Sequence, residues 1–255
     1  MIHDTFRITH ISEVVKDIIA VRFLAPPIAH IAEPGQFVNI RVHGYTDPLL
    51  RRPFSIRRIV GDEIEIIFDI VGRGTAILAN KKIGEIIDVI GPLGTPFSFN
   101  NSHEEALLVG GGMGAAPLPM ITSVLLQSRN KFQTFIGART SQRLLLYHLQ
   151  NLHIATDDGS QGFKGSAIEL LEIYLRESKP IPRKIYACGP NPMLKSLSRL
   201  MEQYDVPCEV SLESVMACGF GICQGCPVEL AAGEKKYGLV CTDGPVFNIR
   251  AIKIP

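Results

Sequence analysis

Hydrophobic and polar residues roughly alternate over four early stretches, residues 5–14, 18–24, 36–43 and 63–70. A period of two turns one side of each stretch inward and predicts β-strands. Pro26-Pro27, Pro34-Gly35 and Gly61-Asp62 punctuate them as turns. Several short strands spaced this way predict a small barrel or sandwich over the first hundred residues. Gly91-Pro92-Leu93-Gly94-Thr95-Pro96 reads as its boundary.

Beyond residue 105 the pattern changes. Apolar runs at 106–109, 132–136, 153–156 and 184–188 are short enough for buried parallel strands. Helical stretches fall between and after them at 117–127, 141–150, 166–176 and 192–204, the last with Asn191 placed as cap and Pro192 at the first helical position. Alternating strands and helices predict a doubly wound parallel sheet. After Glu213 the periodicity gives way to a Gly/Cys-rich segment and a short β-like tail. The expected fold is α+β and multi-domain: a β unit over 1–100, an α/β unit over 101–212 and a module over 213–255.

Composition narrows the function classes. At 46% hydrophobic and 20% charged residues over 255 positions, the chain has the balance of a folded protein. A formal charge of +1 argues against nucleic acid or an anionic membrane as main partner. No apolar run approaches the ~18 residues of a membrane span. Residues 1–11 mix His3, Asp4, Arg7 and His10 with apolar positions and lack a signal-peptide core, so a cytoplasmic location is expected. Six cysteines in such a chain are expected as ligands or core thiols rather than disulfides.

Cys218, Cys223, Cys226 and Cys241 are spaced C-x4-C-x2-C-x14-C, the plant-type ferredoxin arrangement for a [2Fe–2S] cluster. Three thiolates within nine residues must wrap one side of a small core. Gly219, Gly221 and Gly225 permit the tight turns that aim amide N–H groups at sulfur. A structural zinc site is the alternative, although zinc usually takes two separated ligand pairs. Cys208 reads as a core thiol. Phe220 and Ile222 lie in the same loop, and at least one is expected to face outward as the apolar centre of a partner interface.

A strand, a glycine turn and a helix start follow one another at Leu107-Leu108-Val109-Gly110-Gly111-Gly112-Met113-Gly114-Ala115-Ala116-Pro117. From Gly110 the run satisfies G-x-G-x-x-A, which brings backbone amides to a pyrophosphate. Gly110, Gly112 and Gly114 are therefore candidate NAD(H)-binding positions. The acidic residue expected some 20 positions on is replaced by Arg139, leaving NADH against NADPH open. Asp157, at the end of the third strand, is a candidate dinucleotide contact or a solvated turn.

Arg51-Arg52-Pro53-Phe54-Ser55-Ile56 offers a phosphate clamp, a ring-packing surface and a hydroxyl on one strand. Arg52-Pro-Phe-Ser55 is similar to the FAD motif of the ferredoxin-reductase superfamily. Pro34-Gly35-Gln36-Phe37 and Gly189-Pro190 with Met193 match its pattern in the same order. The C-terminal run Glu213-Ser-Val-Met-Ala-Cys218-Gly-Phe-Gly-Ile-Cys223-Gln-Gly-Cys226, with Val240-Cys241-Thr-Asp-Gly-Pro-Val-Phe247, narrows the likeness. The whole chain resembles the electron-transfer subunits of type B dihydroorotate dehydrogenase.

That resemblance implies an FAD-binding β-barrel lined by Arg52, Pro53, Phe54, Ser55, Ile67, Phe68, Asp69, Gly74 and Thr75. It places Cys188 near the nicotinamide, where a small core residue is the other reading. It implies a separate FMN-containing dihydroorotate dehydrogenase catalytic subunit, in a heterotetramer of two plus two. Electrons would run between NAD(H) and that FMN through FAD and the cluster, in pyrimidine biosynthesis. A flavin between the other two groups converts two-electron to one-electron transfer. The alternatives are the matching subunit of a sulfhydrogenase or an NADH–ferredoxin oxidoreductase, and, outside the enzymes, a redox-sensing or zinc-stabilised binding module.

Overall fold

The alternating stretches fold as expected, and two strands join them to close a barrel. In the computed structural model, which describes residues 1–44, 47–99 and 103–255, β1 (Ile2–Val15), β2 (Ile18–Leu24), β3 (Phe37–Arg41), β4 (Arg52–Val60), β5 (Glu63–Asp69) and β6 (Ile86–Leu93) are all antiparallel. Their order around the barrel is β1-β2-β5-β4-β3-β6, closed by β6 on β1. Ile8, Val21, Phe23, Ile40, Ile56, Ile64, Ile66 and Val89 fill its interior. A short α1 (Pro26–Ala29) follows β2, and α2 (Arg73–Ala79) follows β5.

The boundary expected from Gly91 onward lies three residues too early, because β6 continues to Leu93. Gly91 marks a close approach rather than a break, since a Cβ there would sit 2.7 Å from Val38 Cγ1. The division between residues 100 and 101 lies outside the described residues.

The second unit is a sheet of seven strands ordered β10-β9-β8-β7-β11-β12-β15. Its members are β7 (Glu105–Gly111), β8 (Lys131–Ala138), β9 (Leu152–Thr156), β10 (Phe163–Lys164), β11 (Arg183–Cys188), β12 (Cys208–Ser211) and β15 (Val246–Asn248). All neighbours are parallel except β15, which runs antiparallel to β12. The chain reverses its direction of growth between β7, paired to β8, and β11. Doubly wound folds bind ligands at such a switch point. Helices α3 (Leu118–Gln127), α4 (Ala167–Glu177) and α5 (Asn191–Leu200) cover the sheet. Ser166 caps α4: its hydroxyl accepts from Glu169 N at 3.2 Å, and Ser166 N donates to the Glu169 carboxylate at 2.6 Å. Helix α5 begins one residue earlier than expected, at Asn191, with no side-chain cap.

The helix expected over 141–150 does not form. A single 3₁₀ turn at Ser141–Arg143 leads into an irregular segment. Leu144, Leu145 and Leu149 are all buried there, and Arg57 of the barrel donates to the Tyr147 carbonyl at 2.7 Å. A helix would bury one stripe only, so packing against two units overrides local propensity.

The last module holds β13 (Pro227–Leu230), β14 (Tyr237–Leu239) and β16 (Ile252–Lys253) in a small sheet ordered β14-β13-β16. Its β15 belongs instead to the large sheet, so the C-terminal segment is stitched into the second unit. Among the described residues no helix is long and apolar enough to cross a membrane.

Candidate electron-transfer site

One cavity of about 370 Å³ gathers most of the predicted flavin residues. Arg52, Pro53, Phe54 and Ser55 reach it from β4, Ile67, Phe68 and Asp69 from the end of β5, and Thr75 from α2. Phe54 and Phe68 form an aromatic pair with centroids 5.2 Å apart. Gly74 does not line the cavity but shapes it. Its missing Cβ is filled by the Arg52 guanidinium, whose Nε lies 2.7 Å from the ideal Cβ position. Thr75 Oγ1 accepts from Val71 N and Gly72 N, at 3.1 and 3.2 Å, fixing the turn into α2. A guanidinium seated on a glycine, beside two aromatic rings and two hydroxyls, fits FAD.

The opposite wall comes from the α/β unit and the start of the module. Cys188 lines it, at the end of β11, with Ser211, Glu213 and Met216. Burial pushes the Cys188 thiol up, and Glu213 adds to that shift. Glu213 opens onto the cavity itself, and the surrounding protein raises its carboxyl above the usual range. Sequence reasoning missed Ser211 and read Glu213 and Met216 only as members of a motif. None of the three carries a pattern at its own position.

A second cavity, of about 680 Å³, lies at the switch point of the sheet. Gly112 and Asp157 line it, together with Gly111, Arg139, Pro190 and Met193. Gly112 takes φ +54° with nothing within 4 Å of its missing side chain, leaving room for a ligand. Gly110 and Gly114 are closely packed on their Cβ side. A Cβ on Gly110 would come within 2.8 Å of Leu118, and one on Gly114 would overlap the carbonyl of Cys188. The turn is 3₁₀ over Gly112–Ala115, and α3 starts only at Leu118. Asp69 and Met113 line both cavities, so the two meet there. Arg143, in the segment expected to be helical, pairs with Asp69 and donates to the Lys16 carbonyl at 3.0 Å.

The four cysteines lie beside the flavin cavity, two outer and two inner. Cys218 and Cys223 are the more exposed, whereas Cys226 and Cys241 are buried. Backbone N–H groups aim at sulfur: Cys223 N donates to Cys218 Sγ and Gly225 N to Cys223 Sγ, both at 3.4 Å. Burial opposes ionisation of Cys218, but donors from Cys223, Phe220 and Ile222 outweigh it and draw the thiol down to about 6. Cys241 is pushed up to about 12 by burial and by Cys226 beside it. Gly219 and Gly221, at φ +82° and +90°, make the turns possible.

Among the described residues no three His, Cys, Asp or Glu side chains converge on one ion position. Cys223 N reaches the Cys218 sulfur, and Cys226 beside Cys241 disfavours ionisation of the latter, as Cys218 does more weakly. Four cysteines in the ferredoxin spacing, with backbone amides aimed at sulfur, fit a [2Fe–2S] cluster. Cys208 is a core thiol, as expected.

A closed barrel, a doubly wound sheet and a cysteine loop around two adjoining cavities define a ferredoxin-reductase-like oxidoreductase. Comparison with solved structures agrees. An NADH-dependent reduced ferredoxin–NADP oxidoreductase superposes with a TM-score of 0.86 at 29% identity, over 98% of this chain and 90% of that one. Phthalate dioxygenase reductase shares the fold, with a TM-score of 0.67 at 15% identity over 91% and 88%.

The family model for the iron–sulfur cluster binding domain of dihydroorotate dehydrogenase B matches residues 213–253. The dihydroorotate dehydrogenase B (NAD(+)) electron transfer subunit of Desulforamulus reducens is 38% identical over 235 residues, covering 89% of each chain. Its counterpart in Shouchella clausii is 36% identical over 249 residues, 93% of each. The chain belongs to the family of dihydroorotate dehydrogenase B electron transfer subunits. It is an electron-transfer oxidoreductase subunit, and these relatives do not favour the sulfhydrogenase and NADH–ferredoxin alternatives.

Proposed function

We propose that this chain carries electrons between NAD(H) and the FMN of a dihydroorotate dehydrogenase catalytic subunit in pyrimidine biosynthesis. The observation that carries this reading is the meeting of the two cavities at Asp69 and Met113, with the cysteine loop against the flavin side. When bound, FAD and the [2Fe–2S] cluster supply the exchange between two-electron and one-electron chemistry.

The residues have separate tasks. Arg52 offers a charge-assisted contact to an FAD phosphate. Phe54, Phe68 and Pro53 pack against its ring system, with Ser55, Thr75 and Asp69 as polar partners and Ile67 closing the wall. Gly112 lets the backbone approach the pyrophosphate of NAD(H), and Asp157 offers a carboxylate to its hydroxyl groups. Gly110 and Gly114 hold the turn that presents Gly112. Cys188 keeps a neutral thiol at the junction, small enough to leave the nicotinamide room. Cys218, Cys223, Cys226 and Cys241 ligate the cluster, and the amides aimed at their sulfurs favour the thiolate form.

Units of 1–100, 101–212 and 213–255 correspond to these three tasks. The partner is a catalytic subunit, in an assembly of two copies of each. Ile222, 77% exposed, and Val215, 87% exposed, present apolar surface by the cluster loop, while Phe220 packs inward on the core. Ile222 is thus the outward residue of the pair.

The test is Cys223→Ser in the purified complex. Iron content should fall while FAD stays bound and NADH still reduces a two-electron dye. Loss of flavin together with dye activity would overturn the division of tasks.

A further inference from the structure

The cluster loop is tied to the barrel by a side chain that no sequence pattern marks. Asn39 lies on β3 with 0% exposure, and its Nδ2 donates to the Cys218 carbonyl at 2.9 Å. Its register partner across the strand pair is Pro53, within the run that lines the flavin cavity. From the loop side the fit is equally close. A Cβ on Gly219 would stand 2.5 Å from Asn39 Nδ2. One residue therefore touches both the flavin-binding strand and the first cysteine of the loop.

Stability alone does not account for an amide at this position. Asn39 Oδ1 is buried without a hydrogen-bond partner. Leaving a buried acceptor unsatisfied costs at least as much as the bond its Nδ2 makes returns. A leucine of similar shape would avoid the loss and fill the same space. What leucine lacks is the donor to Cys218.

We propose that Asn39 is a positioning residue, fixing the Cys218 end of the loop against the flavin-binding strand and so setting the separation that single electrons cross. This rests on FAD in that cavity and on the cluster at the four cysteines. Tunnelling falls steeply with distance, so a slack loop slows the flavin–cluster step and leaves the nicotinamide–flavin step alone.

The experiment follows both steps in the anaerobic holo-complex with Asn39→Leu. Flavin bleaching by NADH should keep its wild-type rate, while cluster reduction should slow several-fold. A second readout needs no cofactor: in the apoprotein, amide hydrogen exchange over residues 218–226 should quicken. Asn39→Ser, which retains a donor, should recover part of each loss. Wild-type cluster rates with wild-type exchange in Asn39→Leu would overturn the proposal. A wild-type complex that holds flavin and iron, yet whose iron survives Cys223→Ser, would overturn the cluster assignment beneath it instead.

Discussion

Replacing Gly74 with alanine should move stability and flavin affinity in opposite directions. Gly74 lies in α2 with ordinary helical backbone, so alanine meets no strain there and removes glycine's entropic cost, about 0.5–1 kcal/mol in a helix. The added methyl, however, falls 2.7 Å from Arg52 Nε and 3.0 Å from its Cζ and Nη2, where no atom fits. The obstacle is the far end of a flexible side chain, so the guanidinium swings away and the fold is spared. The loss falls on the phosphate contact that Arg52 would make. A charge-assisted hydrogen bond is worth about 1.5–3 kcal/mol, which at 1.4 kcal/mol per decade becomes a roughly 10- to 100-fold weaker FAD complex.

Apoprotein melting and flavin titration by fluorescence quenching would be measured on the same preparations. The expected result is a melting temperature equal to or above wild type with weakened flavin binding. Arg52→Ala should show the same weakening, and the double variant little more, because both changes act through one guanidinium. Unchanged FAD affinity in Gly74→Ala would refute the seat assigned to Arg52.

Ile222→Glu should leave iron, flavin and NADH–dye activity in place and abolish co-purification with the catalytic subunit, whereas Phe220→Glu, on a core-facing side chain, should lower the melting temperature as well. Gly114→Ala should destabilise the chain by about 1–3 kcal/mol, the usual cost of overpacking, while Gly112→Ala should mainly raise the KM for NADH, read by steady-state kinetics. Ser166→Ala should cost about 1 kcal/mol by denaturant melting. Its partner Glu169 has a lowered carboxyl, held first by the Ser166 backbone and then by its hydroxyl. The folded pKa lies below the unfolded one, so this contribution is present above about pH 4.5 and is lost as pH falls through the lowered folded value. The gap between the wild-type and Ser166→Ala melting curves should therefore narrow in acid without closing, because the hydroxyl still accepts from Glu169 N.

How legible each part was depended on whether its cause is local. The cysteine spacing needs only a short loop and four thiols, and the loop carries its own glycines. The barrel strands announced themselves by alternation wherever one side is wet. Strand β6 did not, because Gly91-Pro92 reads as a turn unless one knows that Val38 presses against it. Residues 141–150 misled for a related reason: three leucines in a row favour helix locally, but here they spread over two units at once. The glycine turn was legible as a motif, but the packing around each of its glycines was not. Only the fold reveals that Gly110 and Gly114 face protein while Gly112 faces space. Asn39 and Ser211 were invisible, since each acts through a neighbour remote in sequence.

The remote neighbours are also what hold the redox groups in place. Barrel residues Phe37, Ile90 and Leu93 share an apolar cluster with Cys226, Cys241 and Phe247 of the last module. Ile18 and Ile67 of the barrel pack with Leu108 and Tyr186 of the α/β unit, and Met120 of α3 enters the barrel cluster. Sliding any unit past another would expose shared apolar surface, at about 25 cal/mol for each Å². The separation of the two cavities is thereby fixed by hydrophobic burial. The cluster loop differs, because from Cys218 to Cys226 it has no regular structure and its outer cysteines are only partly covered. Beyond Phe220 and Cys226, which pack on the core, its placement relies on discrete contacts, among them the Asn39 amide. Loosening it should therefore disturb the last electron step before the first.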